Sequence, residues 1–170
     1  GFSMKNVAEI YQNAPGMNGS ALNKPLPAGS RAPDFQLKDA DGNTVSLSDF
    51  RGVPVLLVFY PLDWSPGCSQ QLDLYQQEFS EFENRGIRVL GISVDSIYSH
   101  GAWAVVNPKG EVATRYNVFR QQDGFSERAL YMIDKEGFIR YSYVSEYLHH
   151  IPDIYNLFDE LDRVINKVNA

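Results

Sequence analysis

Val53-Pro54-Val55-Leu56-Leu57-Val58-Phe59-Tyr60, directly after Gly52, is the stretch that decides the fold. A half-buried strand alternates apolar with polar residues, but this run is continuously β-branched, aliphatic or aromatic, so it reads as a central strand covered on both faces. Downstream, Leu72, Tyr75, Phe79 and Phe82 recur at helical spacing, and Gly86 stands where a helix stops. Ile87 to Val94 is a second apolar strand, and strand, helix, strand within one sheet calls for a right-handed parallel crossover. Upstream, Asp39, Asp41, Gly42 and Asn43 separate Asp34-Phe35-Gln36-Leu37 from Thr44-Val45-Ser46-Leu47, a small hairpin. Later, the stretches from Glu127 to Asp134 and from Phe138 to Ser145 flank Lys135-Glu136-Gly137, a second hairpin. Ile154, Leu157, Phe158, Leu161, Val164, Ile165 and Val168 line one face of a further helix, with Asp153 as its N-cap. The expected class is α/β, a mixed sheet flanked by helices, with no repeats and no internal boundary. Residues 1–3 read as a remnant of cloning, 4–25 as an N-terminal arm with a helical hint at Val7 to Gln12, and 26–170 as one domain.

With 170 residues, 44% hydrophobic and 21% charged, the chain has the composition of a globular domain. Fifteen basic residues against twenty-one acidic ones leave a net charge of −6, which disfavours nucleic acid and anionic lipid as partners. The longest apolar run is far shorter than the roughly 20 residues of a spanning helix, so no membrane segment is expected.

Cys68 is the one cysteine of this sequence, which leaves no disulfide framework or cysteine-rich metal site and suits a reducing compartment, with cytoplasm the expectation. A lone cysteine is more often a small buried hydrophobe than a nucleophile. Cys68, however, follows Pro66, a residue favoured at the first position of a helix, where backbone N–H groups face any anion. The helix dipole contributes about 0.3–1 kcal/mol, too little to bring a thiol from about 8.5 well below neutrality without a cationic or hydrogen-bonding partner.

Pro61-Leu62-Asp63-Trp64-Ser65-Pro66-Gly67-Cys68 resembles the peroxiredoxin signature: proline, three residues, threonine or serine, two residues, cysteine. Ala32-Pro33-Asp34-Phe35, the stretch Val89-Leu90-Gly91-Ile92-Ser93-Val94-Asp95 and the stretch from Arg128 to Gly137 are similar to the same family, the alkyl hydroperoxide reductase and thiol-specific antioxidant proteins. The resemblance implies a thioredoxin-like fold, no cofactor or metal, and reduction of hydrogen peroxide or organic hydroperoxides by a cysteine thiolate. It implies Cys68 as the peroxidatic nucleophile, Ser65 as donor to the substrate oxygens, Pro66 as a shield for the thiolate and Arg128 as the active-site arginine. Gln71 takes a position that orients that arginine, while Pro61, Trp64 and Gly67 belong to the surrounding signature. A homodimer or larger homo-oligomer is implied as well. Each residue also has a plainer reading: Ser65 as an N-cap, Pro66 as a helix starter, Trp64 as packing, Gln71 as a solvated helix residue and Arg128 as a surface charge. His149 and His150 read as a solvated loop, and a cysteine–histidine hydrolase would need them or His100 to meet Cys68 in space.

Two departures matter. Asp73 stands five residues beyond Cys68 and no second cysteine exists, so a one-cysteine mechanism with an external thiol is implied: a low-molecular-weight thiol, thioredoxin or glutaredoxin. Dithiol exchange is unsupported, because Ser65 occupies the first position of a Cys-x-x-Cys pattern; a redox sensor or binding protein using the same sulfenic acid is the alternative. Second, family members carry a strand between the helix at His100-Gly101-Ala102-Trp103-Ala104 and the segment Pro108-Lys109-Gly110-Glu111-Val112, where only Val105-Val106-Asn107 stand here. The chain reads as one strand short. Because a lost strand would open an unpaired edge, additional residues here are expected in the intact protein, raising its mass more than a kilodalton above 19.2 kDa.

Overall fold

The computed structural model describes residues 24–39, 41–59, 79–93, 104–106, 110–145 and 157–163. Strands β1 (Gln36–Asp39) and β2 (Thr44–Ser46) form the expected opening hairpin, with Leu37 opposite Val45. A 3₁₀ turn over Leu47–Phe50 leads to β3 (Val55–Phe59), all five residues of which are buried. Helix α1 (Phe79–Asn84), strand β4 (Arg88–Ser93) and strand β5 (Ala104–Val106) follow. Next come helix α2 (Glu111–Arg115) and a two-stranded ribbon of β6 (Phe119–Arg120) and β7 (Phe125–Ser126). The hairpin of β8 (Ala129–Ile133) and β9 (Ile139–Val144) comes next, and residues 157–163 are helical. Val7 to Gln12, Leu72, Tyr75, Asp153, Ile154, Val164, Ile165 and Val168 lie outside the described residues.

The main sheet has the order β2-β1-β5-β4-β3-β8-β9. β3 pairs in parallel with β4 and antiparallel with β8, so it is hydrogen-bonded on both edges. Its period of two splits the apolar run between two cores. Val55, Leu57 and Phe59 join Leu90, Ile92, Tyr116 and Tyr131 on one face; Leu56 and Val58 join Phe82, Ile87, Val89, Leu157, Phe158 and Leu161 on the other. Arg85 ties the second layer: its guanidinium meets Asp162 at 2.6 and 3.0 Å and Glu81 at 2.9 Å, and it lies 4.5 Å from the centroid of the Phe158 ring. Among the described residues no helix is long and apolar enough to cross a membrane.

The expected missing strand is a correction. Ala104–Val106, read from the sequence as the end of a helix and its connection, is itself β5, parallel to β4 and antiparallel to β1. Three residues are enough to join the opening hairpin to the sheet, so β4 presents no unpaired edge there, and the physical argument for additional residues falls away.

The β8–β9 turn is built around Asp134. Its Oδ1 accepts from the N–H groups of Glu136 and Phe138, both at 2.9 Å, and its Oδ2 accepts from Arg140 Nε at 2.6 Å. Gly137 has φ +94°, and a Cβ there would collide with the Arg51 guanidinium, which donates to the Glu136 carbonyl. Burial alone would raise the Asp134 carboxyl, but the Phe138 N–H, Arg140 and the Glu136 N–H outweigh it and hold it below the usual range. A depressed carboxyl stabilises the fold above its unfolded value of about 3.9 and loses that contribution as pH falls through the folded value. Asp134→Ala is therefore expected to cost about 1–3 kcal/mol at neutral pH. In urea titrations taken to progressively lower pH, its gap from wild type should narrow below about pH 4; a gap independent of pH would refute the charge contribution.

Candidate active site

Because β3 and β4 are parallel, their carboxyl ends lie together, with Phe59 opposite Ile92. β8 runs the other way and pairs Ala129 with Phe59, so its beginning reaches the same end of the sheet, where α/β proteins commonly gather their reactive groups. Arg128 immediately precedes β8 there. It is 1% exposed and heads the fully buried side chains, and its carbonyl accepts from the Ser145 N–H at 2.9 Å. The surface-charge reading of Arg128 is thereby overturned. This position therefore holds a buried guanidinium, a planar fork of N–H donors.

The chain arrives at Arg128 through the β6–β7 ribbon, where Phe119 faces Ser126 and Arg120 faces Phe125. The Glu127 N–H extends the ribbon by donating to the Val118 carbonyl at 2.7 Å. Arg120 and Glu127 stand diagonally across it, and such neighbours share a face. Arg120 Nε lies 2.6 Å from Asp123 Oδ2, and Arg120 Nη1 lies 3.8 Å from Glu127 Oε2. Sequence reading missed this ribbon. The signal was present in Asp123-Gly124 between two short apolar-and-polar alternations, a hairpin pattern.

Beneath the same end lies an aromatic cluster of Phe59, Tyr116 and Tyr131, with ring centroids 5.1–6.0 Å apart. Tyr131 Oη donates to the Tyr116 carbonyl at 2.5 Å and accepts from the Leu26 N–H at 2.9 Å, while Tyr116 Oη donates to the Pro33 carbonyl at 2.6 Å. Burial pushes the Tyr131 phenol up to about 12 against the Leu26 N–H, and burial above all raises Tyr116. Both stay protonated near neutral pH, and their hydroxyls serve to anchor the segment that leads into β1.

Of the sequence-predicted site, Arg128 is described; Pro61, Trp64, Ser65, Pro66, Gly67, Cys68 and Gln71 lie outside the described residues, as do His100, His149 and His150. Among the described residues no group of three or more His, Cys, Asp or Glu could hold a metal ion.

The model of the AhpC/TSA family matches residues 28–142. The chain is 37% identical over 129 residues to chloroplastic peroxiredoxin Q of Triticum aestivum, covering 70% of this chain and 59% of that protein. It is 36% identical over 129 residues to alkyl hydroperoxide reductase E of Mycobacterium tuberculosis, covering 69% of this chain and 84% of that protein. Among solved structures, the reduced 2-Cys peroxiredoxin of Plasmodium vivax matches with a TM-score of 0.75 at 25% identity, over 84% of this chain and 99% of that one. The expected thioredoxin-like architecture therefore holds.

Removing the buried Arg128 side chain should leave a cavity at this end of the sheet. Arg128→Ala is expected to lose at least about 2 kcal/mol in urea denaturation. Arg88→Ala, at an exposed position, should stay within about 0.5 kcal/mol; equal losses would show that burial of Arg128 carries no energetic weight.

Proposed function

The chain belongs to the AhpC/TSA family, the peroxiredoxins, and on that premise we propose that it is a thiol-dependent peroxidase acting through Cys68. The observation that carries this reading is the buried Arg128 at the sheet end where β3 hands the chain to the Pro61–Cys68 signature.

In the proposed reaction the Cys68 thiolate attacks one oxygen of hydrogen peroxide or an organic hydroperoxide. An S–O bond forms as the O–O bond breaks; sulfur loses two electrons, and the departing oxygen takes them with a proton and leaves as water or an alcohol. Donors preorganised for the departing charge lower this barrier. Ser65, the Cys68 N–H and Arg128 take that role, with Gln71 orienting Arg128 and Pro66 shielding the sulfur. Pro61, Trp64 and Gly67 shape the surrounding pocket. With no second cysteine in this sequence, an external thiol condenses with the sulfenic acid to a mixed disulfide, releasing water. A second thiol then frees Cys68 and leaves as the oxidised disulfide. The external thiol is thioredoxin, glutaredoxin or a low-molecular-weight thiol. The lone cysteine supports a reducing compartment, the cytoplasm, as its location. β9, an edge of the sheet with mostly half-buried residues, supports a homodimer.

Stopped-flow tryptophan fluorescence tests the reading, since Trp64 is four residues from Cys68. A fast, peroxide-dependent change is expected, absent in a folded Cys68→Ser variant and slowed roughly a hundredfold in Arg128→Lys. A rate no faster than that of a free thiol at the same pH would sink the peroxidase reading, and oxidation without turnover by added thiols would favour the redox-sensor alternative. Light scattering is expected to give a dimer, and a monomer at micromolar concentration would remove that assignment.

A further inference from the structure

We propose that Arg120 and Glu127 are positioning residues that set the buried Arg128 guanidinium for reaction at Cys68. This inference rests on the peroxidase reading above. Glu127 is fully buried and Arg120 is 7% exposed, yet two ionised groups withdrawn from water gain little net stability from each other. A pair of this kind is best accounted for by the geometry it fixes. Arg120 reaches Asp123 in the turn of the β6–β7 ribbon through Nε, and Glu127 at the exit of the ribbon through Nη1. One guanidinium thus holds both ends of the returning strand. The next residue is Arg128, whose own backbone is held by the Ser145 N–H. The ribbon can therefore rotate or slip only by moving the point from which the Arg128 side chain departs.

A through-space charge effect and a positioning effect differ in sign. Acting by charge alone, Glu127→Gln would lower the Cys68 thiol pKa and Arg120→Met would raise it. Acting by position, both variants withdraw Arg128 from the sulfur and raise it. The experiment measures the rate of Cys68 oxidation by hydrogen peroxide, the thiolate titration by ultraviolet absorbance, and thermal stability, in wild type, Glu127→Gln, Arg120→Met and the double variant. We expect each single variant to be slowed about tenfold with a raised thiol pKa. The double variant should be no slower than either single, because the two residues act as one unit. Opposite pKa shifts would overturn the inference, as would wild-type oxidation rates in variants that have lost only stability. Should a single variant fail to fold, the double variant decides: a slowed rate supports the pair as a positioning device, and a wild-type rate refutes it. A wild-type protein reacting like a free thiol defeats the peroxidase reading and this inference with it. A fast wild type with fast variants defeats this inference alone.

Discussion

β3 is hydrogen-bonded along both edges and covered on both faces, and the rest of the described structure is arranged by that constraint. A strand in this setting must satisfy its backbone through neighbouring strands and its side chains through two separate apolar layers. The register follows from it. Phe59 stands between Ile92 and Ala129, so the end of β3, the end of β4 and the start of β8 come together, and the residue before Ala129 is carried there too. Arg128 owes its address to this register.

The two ends of β8 treat charge differently. At one end, beside the start of β3, Asp134 is enclosed by two backbone N–H groups and Arg140, a closed arrangement that stabilises a turn. At the other, Arg128, Glu127 and Arg120 are buried together with Ser126 and Ser145. Burying charge costs free energy unless it is paired. The fold concentrates that cost at the carboxyl ends of its parallel strands, where Arg120 meets Asp123 and Glu127.

The aromatic cluster joins these parts. Phe59, Tyr116 and Tyr131 pack edge-on or tilted under the site, and the two phenols fasten the backbone at Leu26 and Pro33. Their large buried area and directed hydroxyls tie the lead-in segment, α2 and the sheet into one body.

The sequence by itself determined the central strand, because a short run of β-branched, aliphatic and aromatic residues after Gly52 and Pro54 suits a strand covered on both faces. It determined both hairpins as well, since Asp41-Gly42-Asn43 and Lys135-Glu136-Gly137 break apolar stretches with residues suited to turns. It also offered Cys68 as a candidate nucleophile, through the resemblance of Pro61, Ser65 and Cys68 to the peroxiredoxin signature. What only the tertiary structure decided lies in pairings between distant segments. Ala104–Val106 holds only two β-branched residues, too short a run to read as a strand, and becomes β5 because β4 and β1 offer it two partners. Without the family resemblance Arg128 reads as a surface charge, since a local window records that a residue is charged but not what folds over it. Its burial is a property of the sheet end assembled by β3, β4, β8 and the β6–β7 ribbon, and contacts of that kind have no local signal.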